Sequence, residues 1–375
     1  MRRVHASVRL KADPTTISSD SSEMLAKSAR CGLVLLLLVT RAFAVEPGKP
    51  SRTAVATLAA RVIGSHDPDP ATRNPDWMAE RLLGPDELAL LGPDHVFRKA
   101  LTTDYMQAMQ DRAVAVPVAY FLVRTRFIDD SLMRAVRDGA TQVVILGAGF
   151  DSRAYRFRQR LRHVKVFEVD YGPTQAFKKR RALAVLGAPP PNLVYVPIDF
   201  TREQLGDVLV RAGYQPRRKT FFIWEGVTMY IPEEAVRATL QFVARHAASG
   251  SAIVFDHLAT TAVDAALAPE SRRPFLDRLR AEGEPQIFGL AAGTEQAFVS
   301  SVGLTLVKHV FSVSRETRKY LTRRDGTIIG NPEWPLAGGD LPRPMVLRLA
   351  SEGIGWLALA EVPERQSRLR TNDQR

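Results

Sequence analysis

Cysteine is almost absent from this chain of 375 residues, which contains only Cys31. A single cysteine excludes an intramolecular disulfide and the cysteine cluster of a structural zinc site. The seven histidines stand at no paired spacing, so the sequence predicts no metal centre. Hydrophobic residues make up 45% of the chain and charged residues 25%, which is the composition of a globular protein with a large core.

The chain carries a formal net charge of +12, which by itself would favour a nucleic-acid partner. Residues 1–50 contain eight Lys/Arg against four Asp/Glu, and residues 363–375 contain four against two, so the two ends supply half of the excess. The cluster "FKKRR" at 177–181 fits the solvated face of a helix. Nucleic acid is therefore not the expected partner.

The most informative stretch is "QVVILGAGFDSRAYRF" at 142–157. Its apolar run is typical of a strand that is buried on both faces of a parallel sheet. Gly147 and Gly149 then allow a sharp turn and a close approach of the backbone to a ligand. The residues that follow can begin a helix whose free N–H groups face that ligand. This pattern recurs in nucleotide and nucleoside sites, but it also occurs in α/β proteins that bind neither.

A second apolar run, "HVKVFEVDYG" at 163–172, ends in Glu168 and Asp170, 21 and 23 residues after Gly147. In Rossmann-like folds an acid about 20 residues after the glycine turn binds the ribose hydroxyls. A dinucleotide site would have a third glycine at position 152, where this chain has Ser152. The pattern therefore favours a ligand with a ribose and no pyrophosphate, such as S-adenosyl-L-methionine, over NAD.

From residue 142 onward predicted strands and helices alternate, which indicates an α/β fold with a mostly parallel sheet and helices on both faces. Strands are predicted at 142–146, 164–169, 193–196, 219–224, 251–256, 304–310 and 355–362. Helices are predicted at 51–64, 75–91, 103–128, 153–161, 173–186, 202–211, 232–247 and 294–302. The segment 258–293 has no partner in this alternation and could form a lid, whereas 322–344 is rich in Gly and Pro and is predicted to be loop.

Further polar residues stand where predicted strands end, which is where ligands bind in open parallel sheets. They are Asp199 in "VPIDF", Glu225 in "WEGVTMYIP", and Asp256 and His257 in "IVFDHL". Asp199 could accept from an adenine amino group or simply cap a helix. The position of Glu225 directly after a strand of apolar residues favours contact with a ligand. A guanidinium pairs bidentately with a carboxylate, so Arg124 or Arg126 in "FLVRTRFIDD" could hold the carboxylate of the cofactor.

Together these stretches resemble the leucine carboxyl methyltransferase family, in particular its large bacterial branch of S-adenosyl-L-methionine-dependent methyltransferases. The resemblance is carried by "PSRTA", "RTRFIDD", "QVVILGAGFDSRAYRF", "VFEVDYGPTQAFKKRR", "VPIDF", "WEGVTMYIPEEAV" and "FGLAAGTEQAFVSSVGL", in that order. It implies a class I methyltransferase fold, with a Rossmann-like sheet of seven strands whose final pair is antiparallel. The expected organisation is a leader at 1–49, a helical cap at 51–138, a core at 140–362 that includes the candidate lid at 258–293, and a polar tail at 363–375.

The resemblance also implies S-adenosyl-L-methionine as the cofactor. Carried over residue by residue, the family's cofactor contacts fall on Arg124, Gly147, Asp170, Asp199, Phe200 and Glu225. Gly149 completes the glycine turn, and Asp151 and Arg156 match residues that brace it. The methyl group would pass in line to an oxygen of a small-molecule or peptide acceptor without a metal. A carboxylate needs no general base. For a hydroxyl the candidates are Tyr230 and His257, with a structural role as the alternative for His257.

Two features keep other readings open. The run "CGLVLLLLV" at 31–39 is too short to span a bilayer, but Ala42-Phe43-Ala44 fits a signal cleavage site for a peptide that begins at Met24. An exported or membrane-attached binding protein without turnover, held through 31–44, is therefore the alternative to a cytoplasmic enzyme. An NAD-dependent oxidoreductase is disfavoured by Ser152, and a base-methylating enzyme by the absence of an Asn/Asp-Pro-Pro-Tyr motif.

Overall fold

Residues 51–199, 202–330 and 341–364 are described by the computed structural model. Their strands are Gln142–Leu146 (β1), Lys165–Tyr171 (β2), Leu193–Ile198 (β3), Thr220–Trp224 (β4), Ala252–His257 (β5), Thr305–Phe311 (β6) and Trp356–Glu361 (β7). They form one sheet in the order β3-β2-β1-β4-β5-β7-β6. Strands β1 to β5 pair in parallel, whereas β7 runs antiparallel to both β5 and β6. The predicted seven-stranded fold is therefore confirmed.

Helices precede the sheet and cover both of its faces. The α-helices are Arg52–Ser65 (α1), Ala79–Leu82 (α2), Pro85–Leu90 (α3), Val96–Ala100 (α4), Tyr105–Ala108 (α5), Arg112–Arg137 (α6), Arg153–Arg156 (α7), Gly172–Leu186 (α8), Leu205–Arg211 (α9), Glu233–His246 (α10), Thr260–Val263 (α11), Arg273–Ala281 (α12), Glu295–Ser301 (α13), Arg318–Leu321 (α14) and Arg343–Ser351 (α15). Single 3₁₀ turns lie at Thr228–Tyr230 and Glu270–Arg272. Within the described ranges, no helix combines the length and apolarity that crossing a membrane requires.

Successive residues of a strand point to opposite faces, and each face of this sheet has its own core. Val143 and Ile145 of β1 pack in one cluster with the apolar sides of α1 and α6. Val144 and Leu146, on the other face, join a second cluster with α9, α10 and α13. All five residues of β1 are buried, as predicted for a strand covered on both faces.

Several helices are shorter than the sequence predicts. The stretch 75–91 contains two short helices, because Gly84 interrupts it and Pro85 starts a new helix without an N–H group to donate. The stretch 103–128 is also divided, since the Asp111 side chain caps a separate and longer helix, α6. The helix expected at 153–161 is a single turn.

The candidate lid at 258–293 contains α11, a 3₁₀ turn and α12. It reaches the turn after β4, where the backbone N–H of Ile287 donates to the carbonyl of Met229 at 2.7 Å. The loop predicted at 322–344 is wrong from Arg343 onward, where α15 begins. The signal-like segment 31–44 lies outside the described residues.

One buried ion pair joins β2 to α8. Lys178 is 1% exposed and donates to Glu168 Oε2 at 2.6 Å and to the carbonyl of Asp151 at 2.6 Å. Burial raises the pKa of Glu168 to about 7, although Lys178 opposes the shift. The carboxyl group of Glu168 therefore stays protonated in the folded protein over a pH range in which the same group has already lost its proton in the unfolded chain.

Replacing Lys178 by Met should destabilise the fold more at pH 8 than at pH 5.5. At pH 5.5 Glu168 is mostly protonated, so the cost is mainly lost hydrogen bonds, about 1–3 kcal/mol. At pH 8 the variant must bury an unpaired carboxylate or protonate it, which costs about 3–5 kcal/mol. Urea unfolding at the two pH values measures the difference. Lys179→Met, at the exposed residue next in the chain, is the control. If Lys178→Met lost the same unfolding free energy at both pH values, the buried pairing of Lys178 with Glu168 would be contradicted.

Candidate cofactor site

The turn after β1 is built from two glycines with positive φ, 63° at Gly147 and 44° at Gly149. A Cβ atom at Gly147 would lie 2.5 Å from a methyl group of Val227, so the turn after β4 packs directly on this backbone. The N–H of Gly149 donates to Asp170 Oδ2 at 2.6 Å, and that of Ala148 donates to the carbonyl of Val169 at 3.1 Å. The ends of β1, β2 and β4 are thereby held together.

Asp170 is the buried acid at the end of β2. Its Oδ1 accepts from the N–H of Tyr171 at 2.8 Å, while Oδ2 accepts from Gly149. Burial raises the pKa of Asp170 to about 6, against the effect of these two backbone donors. A carboxylate offers about four lone-pair positions, so each oxygen can accept one further hydrogen bond. Asp170 therefore has acceptor capacity for a ligand hydroxyl.

Glu225, at the end of β4, lies among three guanidinium groups. It accepts from Arg124 Nε at 2.9 Å, from Arg153 Nη1 at 2.7 Å and from Arg61 Nη2. Burial alone would raise the pKa of Glu225, but the charges of Arg61, Arg153 and Arg124 hold it well below its usual value. Glu225 is therefore an anion at neutral pH.

Arg124, on α6, bridges two strand ends. Besides Glu225, its Nη1 donates to Asp256 Oδ2 at 2.8 Å, and its guanidinium lies 4.7 Å from the centre of the Phe121 ring. Burial opposes its charge, but Asp256 and Glu225 raise the pKa of Arg124 above its ordinary value. Arg126, the other candidate, donates to the carbonyls of Pro70 and Arg73 at the surface instead.

The sequence places Asp256 beside His257 at the end of its strand but assigns it no role, and the structure brings it into the candidate site. It is fully buried at the end of β5, where Oδ1 accepts from the N–H of Gly226 at 2.6 Å. Its Oδ2 accepts from Arg124 and, at 2.9 Å, from the hydroxyl of Tyr120. Its place at a strand end was a usable signal, because the same signal identified Asp199 and Glu225.

The residues expected to brace the glycine turn belong to the same charged cluster. Asp151 accepts from the N–H of Arg153 at 2.7 Å and pairs with its guanidinium. Arg156 donates to Asp129 at 2.6 Å, and Asp129 also accepts from Arg153 Nε at 2.8 Å. We call the whole set the arginine–carboxylate network; its members are Arg61, Arg124, Arg153, Arg156, Asp76, Asp129, Asp151, Glu225 and Asp256.

Asp199 lies apart from that network, after β3. Its backbone carbonyl accepts from the N–H groups of Arg202 and Glu203 at 2.9 and 2.8 Å, and its side chain is 40% exposed. Asp199 thus stands at the start of a turn, and its Oδ2 lies 3.6 Å from Nε of Arg202. Both of its sequence-based roles stay predictions. Phe200 lies outside the described residues.

The two candidate bases occupy different environments. Burial raises the pKa of Tyr230, so its hydroxyl is neutral at pH 7 and can donate, with Gln286 and Thr53 beside it. His257 is fully buried, and burial lowers its pKa to about 3. Its Nε2 lies 3.0 Å from Nε2 of His309, on β6, which favours the structural alternative for His257.

Removing the charge of Asp256 should destabilise the protein far more than removing one of its hydrogen bonds. In Asp256→Asn the buried guanidinium of Arg124 loses an anionic partner, and we expect a loss of about 3–5 kcal/mol in unfolding free energy. In Tyr120→Phe only the hydrogen bond from the tyrosine hydroxyl to Asp256 is lost, and we expect the unfolding free energy to fall by about 1 kcal/mol. Urea unfolding at pH 7.5 tests both; similar losses would show that Asp256 acts here only as a hydrogen-bond acceptor.

Comparison with known proteins identifies the family of the chain. The sequence profile of the leucine carboxyl methyltransferase family matches residues 54–244, about half of the chain. A protein of Frankia alni named "Putative S-adenosyl-L-methionine-dependent methyltransferase" is 33% identical over 210 residues, which cover 55% of this chain and 68% of that protein. A protein of Parafrankia sp. with the same description is 34% identical over 207 residues, covering 55% of this chain and 62% of its own length.

The chain therefore belongs to the leucine carboxyl methyltransferase family, as its motifs predicted. The names of these relatives specify S-adenosyl-L-methionine, the cofactor expected from the sequence. Among solved structures, the crystal structure of a protein from Streptomyces avermitilis described as a "duf574 family protein" is similar with a TM-score of 0.46 and 16% identity, covering 68% of this chain and 88% of that one.

Proposed function

We propose that this protein is an S-adenosyl-L-methionine-dependent methyltransferase that binds its cofactor at the carboxyl ends of β1, β2 and β4. The observation that carries the proposal is the junction of the Gly147–Gly149 turn with the buried carboxylate of Asp170. An acid fixed against a glycine turn in this way suits a ribose diol beside a closely approached backbone.

Each predicted contact has a chemical role in this proposal. Asp170 accepts from the ribose hydroxyls, and Asp199 accepts from the adenine amino group, with Phe200 next to it in the chain. Arg124 uses Nε and Nη1 for Glu225 and Asp256, which leaves Nη2 for the cofactor carboxylate. Glu225 then acts on the cofactor through Arg124 and the backbone of its own turn.

The bound cofactor would supply an electrophilic methyl group on a sulfonium, and the protein's work is positioning and the exclusion of water. Tyr230 belongs to the turn after β4, and its protonated hydroxyl lies beside Gln286 of the segment 258–293. We propose that it donates a hydrogen bond to the acceptor and holds the attacking oxygen in line. A neutral tyrosine of raised pKa is a poor base, so this arrangement favours an acceptor that is already ionised.

The acceptor in this proposal is a carboxylate or hydroxyl of a small molecule or peptide, and 258–293 is the lid over it. Glu284 in that segment accepts from the backbone N–H groups of Arg52 and Thr53 at 2.6 and 3.0 Å. These bonds tie the lid to the first turn of α1, and the lid and the cap then close the same pocket. The cytoplasm, where the cofactor is made, is the compartment that we propose.

Cofactor binding should depend on Asp170 and on pH in the same experiment. By isothermal titration of the full chain, we expect micromolar binding of S-adenosyl-L-methionine and S-adenosylhomocysteine and none of NAD. Because the pKa of Asp170 is about 6, the affinity should fall about tenfold between pH 7 and pH 5 as the carboxylate takes up a proton.

The variant Asp170→Asn should bind at least tenfold more weakly at pH 7 and show no further fall at pH 5. Asp277→Asn, which removes a 68% exposed acid from α12, is the matched control and should bind as the unaltered protein does. Binding of NAD alone, or an unchanged pH dependence in Asp170→Asn, would refute the assignment of this site.

The acceptor class can be identified from the lability of the transferred methyl group. With radiolabelled cofactor and a panel of carboxylic acids, phenols and alcohols, we expect products that release methanol in alkali, as methyl esters do and ethers do not. Tyr230→Phe should lower kcat about tenfold, because it removes one hydrogen bond to the acceptor, and it should not change the affinity for the cofactor. Tyr320→Phe removes a hydroxyl that binds Asp130 and should leave kcat unchanged. Alkali-stable products would instead indicate a hydroxyl acceptor.

A further inference from the structure

Two histidines and a glutamate converge on the face of the sheet that α13 covers. His257 ends β5, His309 lies on β6, and Glu295 is the first residue of α13. One nitrogen of each histidine and one carboxylate oxygen all lie within 4.8 Å of one another. Strand β7 runs between the two histidines, and it places the small side chain of Ala358 directly beside His309. Trp356 of the same strand stacks on both imidazole rings.

The two imidazole rings meet head-on, with their planes 4° apart and their centres 5.2 Å apart. Nδ1 of His257 lies 3.2 Å from the carbonyl of Leu258, and a proton donated there leaves Nε2 with a free lone pair. Nε2 of His257 lies 3.0 Å from Nε2 of His309. A tetrahedral zinc ion with Zn–N bonds of about 2.0–2.1 Å holds two nitrogens roughly 3.3 Å apart. For the lone pairs of both nitrogens to converge on such an ion, each ring must turn by roughly 35° from this head-on arrangement.

Glu295 supplies the anionic group of the set. It is 8% exposed, and its Oε2 accepts from the N–H of Gly293 at 2.8 Å, which fixes the carboxylate at the start of α13. The indole of Trp356 stacks on His257 with ring centres 5.5 Å apart and planes 6° apart. Two imidazoles and one carboxylate form a ligand set that zinc uses in proteins, with a fourth position left for water.

We propose that His257, His309 and Glu295 bind one divalent transition-metal ion of the zinc type, which links β5, β6 and α13. The site uses none of the residues assigned to the cofactor, so it is independent of the proposed methyl transfer. The sequence predicts no metal centre because the three ligands are 38 and 14 residues apart along the chain, without a motif spacing. Only the pairing of β7 with both β5 and β6 brings them together.

Cobalt reports on the proposed site directly, because four-coordinate Co²⁺ with nitrogen and oxygen ligands absorbs in the visible range. The full chain, freed of metal with EDTA, should develop this absorption with one equivalent of Co²⁺ and lose it on addition of Zn²⁺. Zn²⁺ should also raise Tm. His309→Ala should abolish both effects, and Glu295→Gln should weaken Co²⁺ binding at least tenfold while leaving the fold intact.

His246→Ala, on α10, is the matched control, because it removes an exposed histidine that stacks on Phe242. It should retain the cobalt spectrum. Circular dichroism and titration with S-adenosylhomocysteine verify that each variant is folded. A folded protein with no cobalt absorption, or the same absorption in His309→Ala and Glu295→Gln, would overturn the proposal and leave a hydrogen bond between the two histidines.

Discussion

The rest of the site depends on the burial of Glu225 among three guanidinium groups. An isolated carboxylate in a protein interior costs several kcal/mol, and only close, well-oriented cations offset that cost. Two of those cations come from the helices before the sheet, Arg61 from α1 and Arg124 from α6, and the third, Arg153, follows the glycine turn. The cap helices are therefore part of the site, because without them the end of β4 would carry an unpaired buried charge.

The same network fixes the glycine turn before any ligand arrives. Arg153 stands four residues after Gly149 and is held by Asp151, Asp129 and Glu225 together. The turn is thereby tied to β4 through charge and, through the Gly149 N–H, to β2. A site whose backbone is fixed in this way loses little conformational entropy on binding, which is how positioning contributes to catalysis. The turn's rigidity is thus a consequence of side chains outside it.

The sequence predicts the strands to within two residues at each end, because each is a short apolar run between turn residues. It predicts the helices at 75–91 and 153–161 poorly, since Gly84 and the short turn after Ser152 end them early. The strand-end acids could be found by position. The partners of Glu225 could not, because Arg61 lies 164 residues away in the chain and only the folded arrangement pairs them. Tertiary ion pairs leave no local pattern.

The acids at the strand ends differ in electrostatic state, and this difference separates their functions. Glu225 has a depressed pKa because three arginines use its lone pairs, so it is a fixed anion of the framework. Asp170 has a pKa of about 6, is held by two backbone N–H groups, and retains acceptor capacity. Its negative charge is therefore the less stabilised of the two, and hydroxyl donors of a ligand would stabilise it further. Pairs of carboxyl groups whose environments drive their pKa values apart mark divided roles. In the proposed function, Glu225 stabilises the framework of the site and Asp170 binds the ligand.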